Sequence, residues 1–317
     1  MKGYEQWLIQ YMGGSAHLII PVYQRNYDWK MEQCRQLYDD LVSVARKGLN
    51  SHFFGSVVSV SDPGGQMMDY LIIDGQQRLT TVSLLMLAIH RLLEAGAVRA
   101  EQKNLSSLLL KRYLIDEFGN ESQKIKLKPI KDDQRAFVSL FDDDAEQIAE
   151  SNLTINYRYF CERIRRQEIS VDALYSAISK LQIINITLNH EDDPQLIFES
   201  LNSTGLALSE GDKIRNYILM GLSLHEQEHY YTKYWNEIEK NTGYDVSSFV
   251  RDYLSIKQQT IPNLKNVYPS FKSFRQEAER DGQTTEDILK DMLAYARRYH
   301  RLIQPDVTSP HSFELDW

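Results

Sequence analysis

Apolar residues recur along this chain with two different periods, and the two periods meet at one joint. Leu71, Ile72 and Ile73 form a short continuous apolar run, the mark of a buried strand, and Asp74-Gly75 interrupts it. From Arg78 onward, Leu79, Val82, Leu85, Met86, Ile89 and Leu92 return at helical spacing. The stretch is therefore expected to be a strand, a tight turn and a helix. Asp74, Gln76, Gln77 and Arg78 gather at the turn.

Reading outward from that joint, residues 4–12 pattern as a short helix ended by Gly13-Gly14-Ser15. Residues 17–23 pattern as a strand with Pro21 at an edge or a bulge. A helix is expected over 31–45. Strands are expected over 52–60 and 68–73, separated by Asp62-Pro63-Gly64-Gly65, and so an antiparallel hairpin delivers the chain into the turn. Gly55 inside the first of these strands suggests close packing or a bulge. Helices follow the joint over 101–114, 132–141, 145–167 and 171–181, with strands at 124–130 and 182–188. A helix, a Gly-containing turn and a second helix are expected over 196–216, with Ser209 as N-cap and Asp212 three residues on. From residue 217 to the end the pattern is helical.

Composition narrows the class. The chain has 317 residues, 42% hydrophobic and 25% charged, enough for one large domain or two smaller ones. The 19 tyrosines exceed what a core needs, which hints at a groove or an interface. A net charge of −8 and an isoelectric point near 5.6 argue against a protein that binds nucleic acid across its whole surface. The arginines at 158, 163, 165 and 166 read as a solvated helix face. The two cysteines, Cys34 and Cys161, imply no disulfide framework, which fits a reducing cytoplasm. No signal-peptide core and no membrane-length apolar run is present.

The joint has the chemistry of an anion site. A helix start leaves backbone N–H groups unpaired and carries partial positive charge. Gly75 lets the backbone turn or approach a ligand closely. Arg78 offers a fork of donors suited to phosphate. Gln76 and Gln77 can donate or accept. Asp74 either caps the helix or helps hold a metal through waters. The plain alternative is an ordinary turn with a capping Asp and a solvated Arg. Two further polar clusters also carry one arginine each: PVYQRNYDW with Arg25, and FESLNSTG…SEGDKIRN with Arg215. Convergence of the three on one pocket would make a triphosphate site, with Glu199 and Asp212 as acidic ligands for Mg²⁺ or for orienting a water. Tyr23, Tyr27 and Trp29 could stack on a base or pack in the core. Asn202 and Thr204 could simply cap the helix before Gly205. The sequence lacks GxxxxGK[ST], GxGxxG after a strand, GxSxG and HExxH.

Together, IPVYQRNYDW, LIIDGQQRLTT and FESLNSTGLALSEGDKIRN resemble the N-terminal domain of GmrSD-type restriction enzymes, in the family's order and over residues 20–216. The resemblance implies an α+β fold, a ParB/sulfiredoxin-like mixed sheet with surrounding helices over 1–220. A mainly helical region over 221–317 would follow, cut before any nuclease domain. It implies a cytoplasmic anti-phage module that binds and hydrolyses a nucleoside triphosphate with Mg²⁺ or another divalent cation. Such a module would regulate or power cleavage of modified DNA. Asp74, Gln76, Gln77 and Arg78 would be catalytic. Tyr23, Gln24, Arg25, Gly75, Asn202, Thr204, Gly205 and Arg215 would bind nucleotide; the residues themselves add Thr80 to that set and Asp74, Glu199 and Asp212 as the candidate metal carboxylates. Partners would be the nucleotide, modified DNA directly or through another protein, and a nuclease domain or subunit, with a homo-oligomer left open. No His-x-x-Pro nuclease signature is found, so the nuclease is expected elsewhere. A rival reading is a sensor module of ParB-like type that binds nucleotide or DNA without turnover. A scaffold with a degenerate site is the third.

Overall fold

The apolar run and the alternating segments assemble into one six-stranded mixed sheet, seen here in a computed structural model. The structure describes residues 2–62, 69–117, 124–142, 144–188, 192–202 and 208–303. Chain contacts divide it into two compact units, Met1–Asp193 and Pro194–Trp317.

In the first unit the strands are β1 (Lys2–Trp7), β2 (His17–Ile19), β3 (His52–Asp62), β4 (Asp69–Asp74), β5 (Leu127–Lys128) and β6 (Leu181–Leu188). Their order across the sheet is β1-β6-β3-β4-β2-β5. β3 and β4 pair antiparallel, as the hairpin pattern predicts. β3 and β6 pair parallel, with a register shift between Phe53 and Gly55, so the glycine does mark a bulge. The first-unit helices are α1 (Leu8–Met12), α2 (Met31–Lys47), α3 (Gln76–Glu94), α4 (Leu105–Leu109), α5 (Lys131–Ser139), α6 (Asn152–Arg165) and α7 (Val171–Ile178). Side chains from α2, α3, α6 and α7, among them Leu41, Leu85, Phe160 and Leu174, share one core with Val57, Ile72 and Ile183 of the sheet.

α3 is the centre of this unit. Fifteen of its residues are buried, so it is surrounded rather than laid on a surface by one face. Its polar residues are paired inside: Ser83 donates to the Leu79 carbonyl at 2.9 Å, and His90 Nδ1 meets Ser106 Oγ at 2.8 Å. Such pairing removes most of the cost of burying them.

Several expected elements differ. The strand expected over 124–130 joins the sheet only at Leu127–Lys128, and the helix expected over 101–114 starts at Leu105. Residues 4–12 were expected to be helical, but Lys2–Trp7 is a strand whose register runs along β6, Tyr4 opposite Asn185. Non-local pairing overrides local pattern there. The strand at 17–23 ends at Ile19 because Pro21 has no N–H to continue the ladder. The helix expected over 145–167 starts only at Asn152, where Ser151 caps the Leu153 N–H.

The second unit is helical, with α8 (Pro194–Asn202), α9 (Glu210–Leu219), α10 (Leu224–Tyr230), α11 (Asn236–Asn241), α12 (Val246–Gln258), α13 (Val267–Arg280) and α14 (Thr285–Ile303). Ser209 and Asp212 form the capping box of α9 that their spacing predicts. An α+β fold with a mixed sheet and a mainly helical C-terminal region is thus what the chain adopts. Among the described residues no helix is long and apolar enough to cross a membrane.

Candidate functional site at the start of the central helix

β4 ends at Asp74 and α3 begins at Gln76, so Gly75 alone makes the turn. Its φ of +99° lies in the left-handed region. A Cβ there would lie 3.1 Å from the Ser56 carbonyl oxygen and 3.0 Å from Val57 Cγ2, so the close approach of β3 also demands glycine. No side chain caps α3 at this end. The N-terminus of a long buried helix thus keeps its partial positive charge without a protein acceptor from the cap residue.

Arg78, one turn in, is fixed from two sides. Its Nη2 donates to the Ser56 carbonyl at 2.7 Å and to Asp74 Oδ2 at 3.1 Å. Its guanidinium lies over Gly55, whose φ is +118°, and a Cβ there would come within 3.1 Å of Nη1. The bulge glycine therefore makes room for the guanidinium. Nε is buried and has no hydrogen-bond partner. The Arg78 and Asp74 side chains are 24% and 30% exposed, so their ion pair contributes no more than about 1 kcal/mol and yields readily to a stronger anion.

The glutamines divide. Gln76 donates to Gln24 Oε1 at 3.2 Å, and Gln24 in turn donates to the Ile73 carbonyl at 2.9 Å. Gln77 turns away into the loop of residues 26–29. Its Oε1 accepts from the Asp28 and Trp29 amides at 2.9 and 3.1 Å, and its Nε2 donates to the Asn26 carbonyl at 3.0 Å. Thr80 is buried within α3 and Tyr23 is buried beside Gln24 in sequence. Burial holds the Tyr23 hydroxyl well above its ordinary pKa, so it stays neutral. Arg25 is half-buried.

The residues of the third motif lie in the second unit, and each described carboxylate there has partners within it. Arg215 donates to Glu239 at 2.7 Å and to Asp212 at 2.9 Å. Asp212 also accepts from the Ser209 hydroxyl at 2.7 Å. Glu199 accepts from Gln195 at 3.0 Å and from the Tyr268 hydroxyl, and Lys272 lies 3.5 Å away. Burial alone would raise the Glu199 carboxyl; the Tyr268 and Gln195 hydrogen bonds and the Lys272 charge outweigh it and hold it below its usual value. Thr204, Gly205 and the Asn202 side chain lie outside the described residues. The structure thus brings Gln24, Asp74, Gly75, Gln76 and Arg78 together at one end of α3.

Two contributors escape sequence reading. The Ser56 carbonyl aims Arg78, and Asn156 on α6 reaches the 26–29 loop, donating to the Trp29 carbonyl at 2.7 Å. Backbone carbonyls leave no side-chain signal, and a lone Asn in a helix looks like any solvated position.

The arrangement is a helix N-terminus with a prepositioned guanidinium, a carboxylate and two amides, suited to holding phosphate oxygens. A comparison with curated proteins finds no match. A family model described as the N-terminal domain of the GmrSD restriction endonuclease matches residues 7–219, which takes in all of these motifs. With two thirds of its length matched in that way, the chain belongs to the GmrSD restriction endonuclease N-terminal domain family.

Proposed function

We propose that this chain is the nucleoside-triphosphate-binding and hydrolysing module of a modification-dependent restriction system. One observation carries the reading. Arg78 is aimed by Ser56 and Asp74 through Nη2 alone, and its partly exposed guanidinium stands at the uncapped N-terminus of a buried helix. Phosphate would engage Nη1 of the guanidinium and the first-turn N–H groups together. Arg25 would add a second positive charge. Gln76, tied to Gln24 by its amide nitrogen, would present Oε1 to a water. Donors fixed before the substrate arrives need not reorganise as charge develops on the phosphoryl oxygens.

The donor set fits a divalent cation that arrives with the triphosphate. Among the described residues no group of three or more His, Cys, Asp or Glu side chains is arranged to hold a metal. Asp74 is the carboxylate at hand, in keeping with magnesium sites built from one or two carboxylates plus phosphates and water. When bound, the cation neutralises phosphate charge. Glu199 and Asp212, with their own partners in the second unit, fit a structural role there.

A sensor that binds nucleotide without turnover is the second reading. It draws on Gln77, whose amide is committed to the loop, leaving fewer groups to orient a water. Modified DNA and a nuclease domain or subunit are the partners that the family context supports. Equilibrium binding of ATP, GTP, CTP and UTP, each with and without Mg²⁺, tests the reading. Binding of at least one, lost in Arg78→Ala, is expected. No binding of any of the four would overturn it.

A further inference from the structure

We infer that Gln77, Thr81 and Asn156 are positioning residues. Together they hold the loop of residues 24–29 so that the Arg25 guanidinium is left free to meet phosphate. The inference rests on the nucleotide reading above and assigns Gln77 a role other than contact with the substrate.

The loop is fastened at nearly every residue. Gln24 is tied to β4 through the Ile73 carbonyl. The Asn26 carbonyl and the Asp28 and Trp29 amides all meet the single Gln77 amide. The Tyr27 amide donates to Asp133 at 2.6 Å, and its carbonyl accepts from Asn152 at 3.3 Å. The Tyr27 hydroxyl sits 2.7 Å from Thr81 Oγ1 and accepts from Asn156 Nδ2 at 3.1 Å. Among the described residues Arg25 makes no hydrogen bond or ion pair, and it is half-buried rather than splayed into water. A clamp on both sides of one unpaired cation fixes the backbone from which it reaches. That removes much of the ordering cost that a mobile arginine would incur on binding.

Asn156 shows that the clamp is more than packing. It is fully buried, and its Oδ1 has no partner. An amide half-satisfied in a core costs stability, and a leucine of similar size would suit the position better. What the Asn supplies is its Nδ2, which bridges Tyr27 and the Trp29 carbonyl. Thr81 meets the same Tyr27 hydroxyl from α3 and also anchors its own turn by donating to the Gln77 carbonyl at 2.7 Å. The turn that carries Arg78 and the loop that carries Arg25 are thereby registered to one another through side chains that need not touch a ligand.

The test uses the full chain with Asn156→Leu, Thr81→Val and the conservative Thr81→Ser. Two quantities are read: the Kd and KM for the nucleotide that the wild type binds, and amide hydrogen exchange at Asp28 and Trp29. Asn156→Leu and Thr81→Val should each weaken binding about tenfold, by an argument from misplaced groups, with kcat changed far less and with faster exchange at both amides. Thr81→Ser should restore wild-type values. Combined with Arg25→Ala, neither should weaken binding further, since they act through that side chain. Unchanged affinity in variants whose amides exchange faster, or losses that add to that of Arg25→Ala, would overturn the inference. Failure of the nucleotide reading itself looks different, because the wild type would then bind none of the four nucleotides before any variant is made.

Discussion

Gly55→Ala separates the site from the fold. The residue sits at φ +118°, a backbone region where alanine is strained by about 1–3 kcal/mol. The three atoms nearest its new Cβ would all belong to the guanidinium of Arg78, at 3.1–3.3 Å, with no backbone atom closer than that. A side-chain end can shift by a few tenths of an ångström, so the stability cost should stay within the backbone strain of about 1–3 kcal/mol. The displaced guanidinium, however, is the group proposed to hold phosphate, and its hydrogen bond to the Ser56 carbonyl fixes its aim. Nucleotide affinity should therefore fall by about tenfold, equivalent to about 1.4 kcal/mol. Gly75→Ala is the contrast. There the Cβ meets the Ser56 carbonyl, which cannot give way, and the sum of left-handed strain and overpacking is about 2–5 kcal/mol. Urea unfolding measures the first quantity and a nucleotide titration the second. A folded Gly55→Ala protein that binds nucleotide as tightly as wild type would refute the placement of Arg78 at the phosphate.

Further outcomes concern the second unit and the core. Arg215→Ala should cost about 3–5 kcal/mol in urea unfolding, because it strands the buried Glu239 carboxylate; a cost near zero would show that the pair is not structural. Glu199 is held below the usual carboxylate value of 4.5, so its partners stabilise the fold above that pH, and the contribution is lost as pH falls through the lowered value. Tyr268→Phe should thus flatten the acid side of the stability profile, and an unchanged slope below pH 4.5 would count against the hydrogen bond. Burial pushes the Cys34 thiol up to about 11 and raises Cys161 as well, so neither should react with iodoacetamide at neutral pH until the chain is unfolded. Rapid labelling of the native protein would contradict their burial.

The strand–turn–helix at the joint was legible because each signal there is local: an apolar run, a breaking Gly and a helical period in adjacent residues. The hairpin was legible for the same reason, and the β3 bulge because Gly is rare inside a strand. β1 was not, since KGYEQW has no apolar alternation and is a strand only through β6, far along the chain. The chemistry of the joint was read from residue types, yet the sequence could not separate two adjacent glutamines. One faces Gln24 and the other closes the 26–29 loop, a difference set by helix phase and by loop path. Nor could it show that Arg215 meets a buried glutamate 24 residues later, a partner with no motif of its own.

Turnover decides the central claim. Phosphate release should be measured on the purified chain with ATP, GTP, CTP and UTP in the presence of Mg²⁺, beside Arg78→Ala and Asp74→Ala. The account predicts release from at least one nucleotide by the wild type, and its loss in both variants while they remain folded. Release that survives Arg78→Ala, or none from the wild type with any of the four, would contradict it.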